Sequence, residues 1–159
     1  MKTINKILKY SLIFLLGIVS YQCAFLESLK PPQIIIQIIE KFIRDSKGEF
    51  TYEQITAIKF NFYYETDGAI IAVCKYPTLV SPAVIELDFN VWEIQSDIER
   101  KATIYHELGH CLLHEGHRDS YFKDHCPTSL MNTYSTTEGC LKKYWKYYVK
   151  ELFIYSGVR

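Results

Sequence analysis

The sequence predicts an α+β fold for residues 24–159, and three observations support it. A helical apolar pattern follows a pair of prolines, strand-like segments occupy the middle of the chain, and two further helical segments lie in the C-terminal half. The chain has 159 residues, which suits one domain and not two of ordinary size. We therefore expect residues 24–159 to form a single domain with the order helix, strands, helix, irregular loop, helix.

The first helix is predicted over residues 33–46. Two prolines precede it and a Lys-Gly pair follows it, which suits the entrance and the end of a helix. Its apolar residues recur at helical spacing and form one face: Ile35, Ile38, Ile39, Phe42 and Ile43. This pattern is typical of an amphipathic helix that packs on a core.

Three strands are predicted next. The segments "TAIKFNFYYE" (residues 56–65) and "AIIAVCKY" (residues 69–76) are separated by "TDG", and the Asp-Gly pair favours a hairpin between them. A further strand, "AVIELDF" (residues 83–89), follows a loop with two prolines. We expect these segments to form a small sheet.

Two helices are predicted in the C-terminal half. The first begins near Ser96 or Asp97 as the N-cap, with Glu99 in its first turn, and continues into "HELGHCLLHEGH", residues 106–117. The second contains "YWKYYVKELF", residues 144–153, whose spacing indicates one face packed on the domain.

The start of the chain is typical of an export signal. A basic leader, "MKTINKILK", precedes an apolar run too short to span a bilayer comfortably, and Cys23 follows at once. Residues 1–23 resemble a bacterial lipoprotein signal, which implies a lipid anchor at Cys23; Gln22 stands where a small residue is usual. Ordinary cleavage and an uncleaved anchor are the alternatives. We expect an exported protein that is periplasmic, anchored in the outer membrane or extracellular.

Composition excludes one class of partner. Eighteen basic and 18 acidic side chains give a formal net charge of zero, so there is no basic surface to indicate nucleic-acid binding. The oligomeric state is not indicated.

Four cysteines follow the leader: Cys74, Cys111, Cys126 and Cys140. In an oxidising compartment an even number of cysteines favours disulfides, and four cysteines allow three pairings between which the sequence does not choose. A bond between Cys126 and Cys140 would close one short loop. Buried free thiols are the alternative.

The stretch "HELGHCLLHEGH" predicts a metal site. On a helix, His106 and His110 lie on one face, about 5–6 Å apart at Cβ, so both rings can bind one zinc ion. Glu107 lies beside them and can reach a water at the metal without being a ligand itself. This is the H-E-x-x-H arrangement. A helix with surface histidines is the alternative interpretation.

Two histidines compete for the third ligand position. His114 continues the spacing but lies about 12 Å along the helix axis from His106, too far to share one ion easily. Gly116 can take a positive φ, end the helix and turn the chain back, which would bring His117 to the metal. We favour His117 and assign His114 to a place behind the ligands or facing substrate.

Together with "SLMNTY" at residues 129–134, the histidine-rich helix resembles the metzincin zinc peptidases, with their H-E-x-x-H-x-x-G-x-x-H helix and later methionine turn. The snapalysin-like and matrixin-like bacterial members are closest. The resemblance covers about residues 84–155. It departs at Leu113, where the family has glycine, and at His117, one residue later than the pattern.

This resemblance implies a zincin domain: a small mixed sheet packed with an active-site helix, a methionine turn and a C-terminal helix. It implies Zn²⁺ bound by His106, His110 and His117, with Met131 as the turn methionine beneath the metal. Tyr134 is a candidate for stabilising the transition state.

The function implied is that of an exported zinc metalloendopeptidase. A zinc-activated water would hydrolyse a peptide bond in a peptide or protein substrate, with Glu107 as the general base. One alternative takes the third ligand from a downstream glutamate, Glu138, as thermolysin-like (gluzincin) enzymes do. The other is a non-catalytic surface lipoprotein that binds zinc.

Overall fold

Five helices and three strands follow one another along the part of the chain that the structure describes. The structure is a computed structural model, and it describes residues 31–64 and 70–155. The predicted leader, residues 1–23, and the predicted "TDG" turn lie outside these ranges. The elements are α1 Gln33–Asp45, α2 Tyr52–Thr56, β1 Lys59–Tyr63, β2 Ala72–Lys75, β3 Val84–Asp88, α3 Phe89–Ile94, α4 Asp97–Cys111 and α5 Glu138–Tyr155. None of these helices combines the length and apolar composition that crossing a membrane requires.

The three strands form a mixed sheet in the order β1-β3-β2. Strand β1 runs parallel to β3, with Lys59 opposite Val84, and β2 runs antiparallel to it, with Ala72 opposite Leu87. The fold is therefore α+β with a small mixed sheet, as the sequence predicts.

The predicted hairpin between the first two strands is wrong, because β3 lies between them. The reason is burial. Ile85 and Leu87 of β3 are almost fully buried, whereas the residues of β1 and β2 are at most half-buried. The most deeply buried strand lies at the centre of the sheet, and the Asp-Gly signal, which is local, does not decide that order.

Helix α1 has nearly the predicted bounds. Its apolar face is buried, and the chain leaves the helix through two left-handed residues, Lys47 at φ 57° and Gly48 at φ 80°. The amide of Gly48 donates to the carbonyl of Ile43 at 3.2 Å and so satisfies one of the last carbonyls of the helix. The Lys-Gly stop is confirmed.

Helix α4 begins where the sequence predicts. The backbone amide and the hydroxyl of Ser96 both donate to Glu99 Oε2, at 2.9 and 2.7 Å, which closes the N-terminus of the helix. Ile104, Tyr105 and Leu108 are fully buried and fix the face that α4 turns to the core. Because this face is fixed, the directions in which His106 and His110 of the same helix can point are restricted as well.

The core lies where α1, α4 and α5 meet. The ring of Phe42 packs edge-on against Tyr105 and against Phe153, with ring centroids 5.0 Å apart in both pairs. Leu141, Tyr148 and Leu152 form the fully buried face of α5, as its pattern predicts.

Two disulfides cross-link the domain. Cys74 of β2 is bonded to Cys111 at the end of α4, and Cys126 is bonded to Cys140. The structure therefore selects one of the three pairings, and the interpretation of these four cysteines as buried thiols is wrong. The second disulfide closes the short loop that the sequence indicates.

Candidate metal centre

Helix α4 delivers the first two histidines to one point. His106 and His110 are one turn apart, and their Nε2 atoms lie 3.0 Å from each other. Both side chains are half-buried. Packing of the helix on the core restricts the directions that the two rings can take.

The third histidine is His117, from the loop after α4. Its Nε2 lies 3.1 Å from Nε2 of His110, and the donor atoms of His106, His110 and His117 all lie within 4.8 Å of one another. Nitrogen ligands about 2.0–2.1 Å from a shared ion are themselves about 3 Å apart, so these three rings fit one metal ion. His117 is exposed, so the site opens to solvent.

Backbone carbonyls orient the two helical ligands. His106 Nδ1 lies 2.6 Å from the carbonyl of Leu130, and His110 Nδ1 lies 2.7 Å from the carbonyl of Glu115. A carbonyl can only accept, so each ring donates through Nδ1 and keeps a free electron pair on Nε2. Ligating histidines are commonly oriented in this way.

Burial favours the neutral form of both helical histidines. Burial lowers the pKa of His106 to about 4, and the charges of His110 and His117 act in the same direction while the bond to Leu130 opposes them. Burial is also the main cause that lowers the pKa of His110. Neutral imidazole is the form that binds metal ions.

The turn that brings His117 back is made by His114, and the prediction that Gly116 takes the positive φ is wrong. Helix α4 ends at Cys111, His114 has a φ of 56°, and Gly116 has no positive φ. The amide of Glu115 then donates to the carbonyl of Gly109 at 3.0 Å. Histidine is among the non-glycine residues that are enriched in the left-handed region. The sequence therefore contained a signal for a turn at His114, but the prediction assigned the turn to Gly116.

His114 itself lies outside the group of ligand atoms. Its exposed ring stacks on the ring of Tyr76, with centroids 6.1 Å apart and an angle of 21°. The structure therefore brings His117 to the two helical histidines and leaves His114 at the turn.

Glu107 directly follows His106 in α4 and is buried, with only 4% of its surface exposed. The backbone amide of Cys74 hydrogen-bonds its carboxyl, whereas Oε2 has no hydrogen-bond partner among the described residues. Burial raises the pKa of Glu107 to about 7, and the Cys74 amide opposes that rise. A carboxyl with this pKa can both accept and release a proton near neutral pH.

Met131 packs against helix α4 at Gly109. It is fully buried, and a Cβ placed on Gly109 would overlap its Sδ and lie 3.0 Å from its Cε. Its backbone is fixed on both sides, because its amide donates to Ser129 Oγ at 3.0 Å and its carbonyl accepts from the Arg118 amide at 2.7 Å. The loop with Met131 is thus bonded to the loop with His117.

Two other residues were predicted near the site. Tyr134 is largely exposed. Glu138 begins α5 and forms an ion pair with Lys142 at 2.8 Å. In the described ranges, the group of His, Cys, Asp and Glu side chains suited to a metal contains His117 and not Glu138.

A partly buried ionic network around Arg118 was not predicted. The Nε of Arg118 lies 3.0 Å from Glu151 Oε1, its Nη1 donates to Glu115 Oε2 at 2.5 Å, and Ser129 Oγ donates to Glu151 Oε2 at 3.0 Å. Only the three-residue spacing of Glu115 and Arg118 is a sequence signal for it. The pairing with Glu151, 33 residues away, has none.

Comparison with known proteins adds no relative. No protein-family model, curated protein or solved structure matches this chain. The chemistry of the site is therefore inferred from its own residues: three imidazoles that could bind a metal ion, and the buried carboxyl of Glu107 on the same helix as two of them.

Proposed function

We propose that this protein is an exported zinc metalloendopeptidase of the metzincin type. The observation that carries the proposal is the convergence of His106, His110 and His117 through their Nε2 atoms, with the buried carboxyl of Glu107 on the same helix. Three ligands and an adjacent base are what metal-assisted hydrolysis requires.

The donor set favours zinc in a catalytic site. Imidazole suits zinc, and three protein ligands without a thiolate leave a fourth position open, which distinguishes catalytic from structural zinc sites. Bound zinc would lower the pKa of a water molecule to about 7 and polarise a peptide carbonyl. The exposed side of the site, at His117, gives a substrate access to that position.

Glu107 would move the protons. The Cys74 amide restrains its carboxyl, and Oε2 remains available to accept a proton from the attacking water. The same carboxyl would then deliver the proton to the nitrogen of the leaving amine.

The position of Met131 supports the metzincin type. It packs against α4 at Gly109, between the two helical ligands in sequence, as the turn methionine of that family would. The sequence departs from the family pattern at Leu113 and His117. The turn at His114 accounts for both departures, because it brings His117, one residue later than the pattern requires, to the two helical histidines.

Export is supported by the disulfides. Two disulfides in one small domain suit an oxidising compartment and agree with the export signal expected over residues 1–23. We place the protein in the periplasm, on the outer membrane through Cys23, or outside the cell, acting on a peptide or protein substrate.

A non-catalytic zinc-binding lipoprotein is the second candidate. Burying a carboxyl with one oxygen unpartnered costs free energy, and a site that only binds zinc has no use for that arrangement. The thermolysin-like alternative is disfavoured because Glu138 is paired with Lys142 and lies outside the ligand group.

The test measures zinc content and peptide cleavage side by side. Wild type is expected to bind about one zinc per chain and to cleave members of a mixed peptide library, and His117→Ala to lose both properties. Glu107→Gln should keep the zinc and lose about 10²–10⁴-fold in kcat/KM, the usual contribution of a general base. A wild type without zinc, or a Glu107→Gln variant that cleaves normally, would contradict the proposal.

A further inference from the structure

The edge strand β2 is joined to helix α4 at two points through one residue. The sulfur of Cys74 is bonded to Cys111, and the amide of Cys74 hydrogen-bonds the carboxyl of Glu107. Glu107 and Cys111 are four residues apart on the helix, so they lie on the same face. A covalent bond and a hydrogen bond therefore tie Cys74 to one stripe of α4.

Among the described residues, the disulfide is the covalent link between β2 and this helix. The strand has four residues, it is at most half-buried, and its described ladder pairs it with β3. Short strands at the edge of a sheet are the ones most readily displaced. The disulfide, with its Cα atoms 5.6 Å apart, sets the spacing between β2 and the end of α4.

We propose that Cys74 and Cys111 are positioning residues for the general base: their disulfide keeps the Cys74 amide against the Glu107 carboxyl and so fixes where that carboxyl points. The inference rests on the proposed function. With the disulfide removed, β2 can move away from α4, and the carboxyl loses the donor that restrains it. A base displaced by about 1 Å can lose about 10²-fold in rate.

We expect the three histidines to keep their positions when this disulfide is removed. The histidines are oriented by the carbonyls of Leu130 and Glu115, which lie on other segments of the chain. The second disulfide, Cys126–Cys140, closes the loop that contains Leu130. We therefore expect the two disulfides to have separable effects: loss of Cys74–Cys111 should lower kcat through Glu107, and loss of Cys126–Cys140 should lower zinc affinity.

The experiment compares two double variants of the full chain, Cys74→Ala with Cys111→Ala and, as the matched control, Cys126→Ala with Cys140→Ala. The first pair should bind about one zinc per chain, give the same visible spectrum as wild type with Co²⁺, keep KM within about twofold and lose about 10- to 100-fold in kcat. The control pair should bind zinc more weakly and keep kcat per bound zinc.

An unchanged kcat in the Cys74/Cys111 pair, or zinc lost in step with activity, would overturn the inference. Amide hydrogen exchange at position 74 provides a second measurement that needs no substrate. We expect exchange at this amide to be at least about tenfold faster in the Cys74/Cys111 double variant and in Glu107→Ala than in wild type. Equal exchange rates in Glu107→Ala and wild type would overturn the inference, even if the double variant does not fold. A wild type that binds zinc and cleaves no peptide contradicts the proposed function instead.

Discussion

The side chain of Met131 occupies the space that a Cβ on Gly109 would need. The overlap would involve its Sδ, and the Cε and the Leu152 Cδ1 would be 3.0 and 3.4 Å away. Gly109 lies directly before the ligand His110, and the carbonyl of Leu130, directly before Met131, accepts from the ligand His106. The methionine loop and the metal helix thus fit together at a glycine.

We expect Gly109→Ala to destabilise the protein. Alanine favours a helix by about 1 kcal/mol over glycine, but overpacking against Met131 costs about 1–3 kcal/mol, so the net loss is up to about 2 kcal/mol. Zinc affinity should also fall, because displacement of Met131 moves the Leu130 carbonyl. Urea unfolding and zinc titration measure the two effects. Gly139→Ala is the control: a Cβ there meets nothing within 4 Å, and a stability equal to or above that of wild type is expected. An equal gain in stability in Gly109→Ala and Gly139→Ala would contradict the close contact between Met131 and Gly109.

His117 and His114 should differ in their effect on metal affinity. Replacing His117 by Ala removes a ligand, so we expect zinc to bind more than about 100-fold more weakly, beyond the loss typical of residues behind the ligands. His114→Asn removes a ring that lies outside the ligand group and keeps a residue that tolerates a positive φ, so affinity should stay within about threefold. Competition with a chromophoric chelator measures both. If zinc bound more weakly to His114→Asn and not to His117→Ala, His114 and not His117 would be the third ligand.

Glu151 should matter for stability although it lies far from the metal in sequence. Its carboxylate pairs with Arg118 and accepts from Ser129, and it is buried. Glu151→Gln leaves the Arg118 charge with less compensation, at a cost of about 1–3 kcal/mol in the free energy of unfolding. Glu138→Gln on the same helix breaks an exposed pair with Lys142 and should cost less than about 1 kcal/mol. Equal losses in urea unfolding would rule out the buried network as the cause.

Tyr105 should make the protein sensitive to alkaline pH. Its hydroxyl is buried and donates to Asp45 Oδ2 at 2.8 Å; burial, followed by the Asp45 charge, raises its pKa far above 10. Because the folded pKa lies above that of the unfolded chain, this stabilising effect is complete below about pH 10 and declines above it. Burial also raises the pKa of Tyr148, to about 12, in the same direction.

Urea unfolding of wild type should therefore show a falling free energy between about pH 9.5 and 11. Tyr105→Phe should be about 0.5–1.5 kcal/mol less stable than wild type at pH 7, since it lacks the hydrogen bond to Asp45, yet lose less between pH 9.5 and 11. Parallel pH profiles for the two proteins would show that Tyr105 is not the group responsible.

Features with a local physical cause were predictable. The start of α4 follows from the bonds that Ser96 donates to Glu99, three residues later, and the end of α1 follows from Lys47 and Gly48. His106 and His110 share a helical face because helix geometry alone places residues four apart together. The sequence by itself therefore determined helices α1, α4 and α5, the α+β class, and the placement of His106, Glu107 and His110 on one helix; it did not indicate α2 and α3.

Tertiary structure decided the rest, because it depends on contacts between residues distant in the chain. The strand order follows from the burial of β3, not from the Asp-Gly turn beside it. His117 reaches the metal site because the chain turns at His114, whose ring stacks on Tyr76 of another segment. The disulfide pairing and the bond from Cys74 to Glu107 likewise require the sheet to be packed on α4. Local patterns encode neither the order in which strands pack nor the partner that a buried group finds, since both are set by the total apolar area and polar pairing of the whole domain.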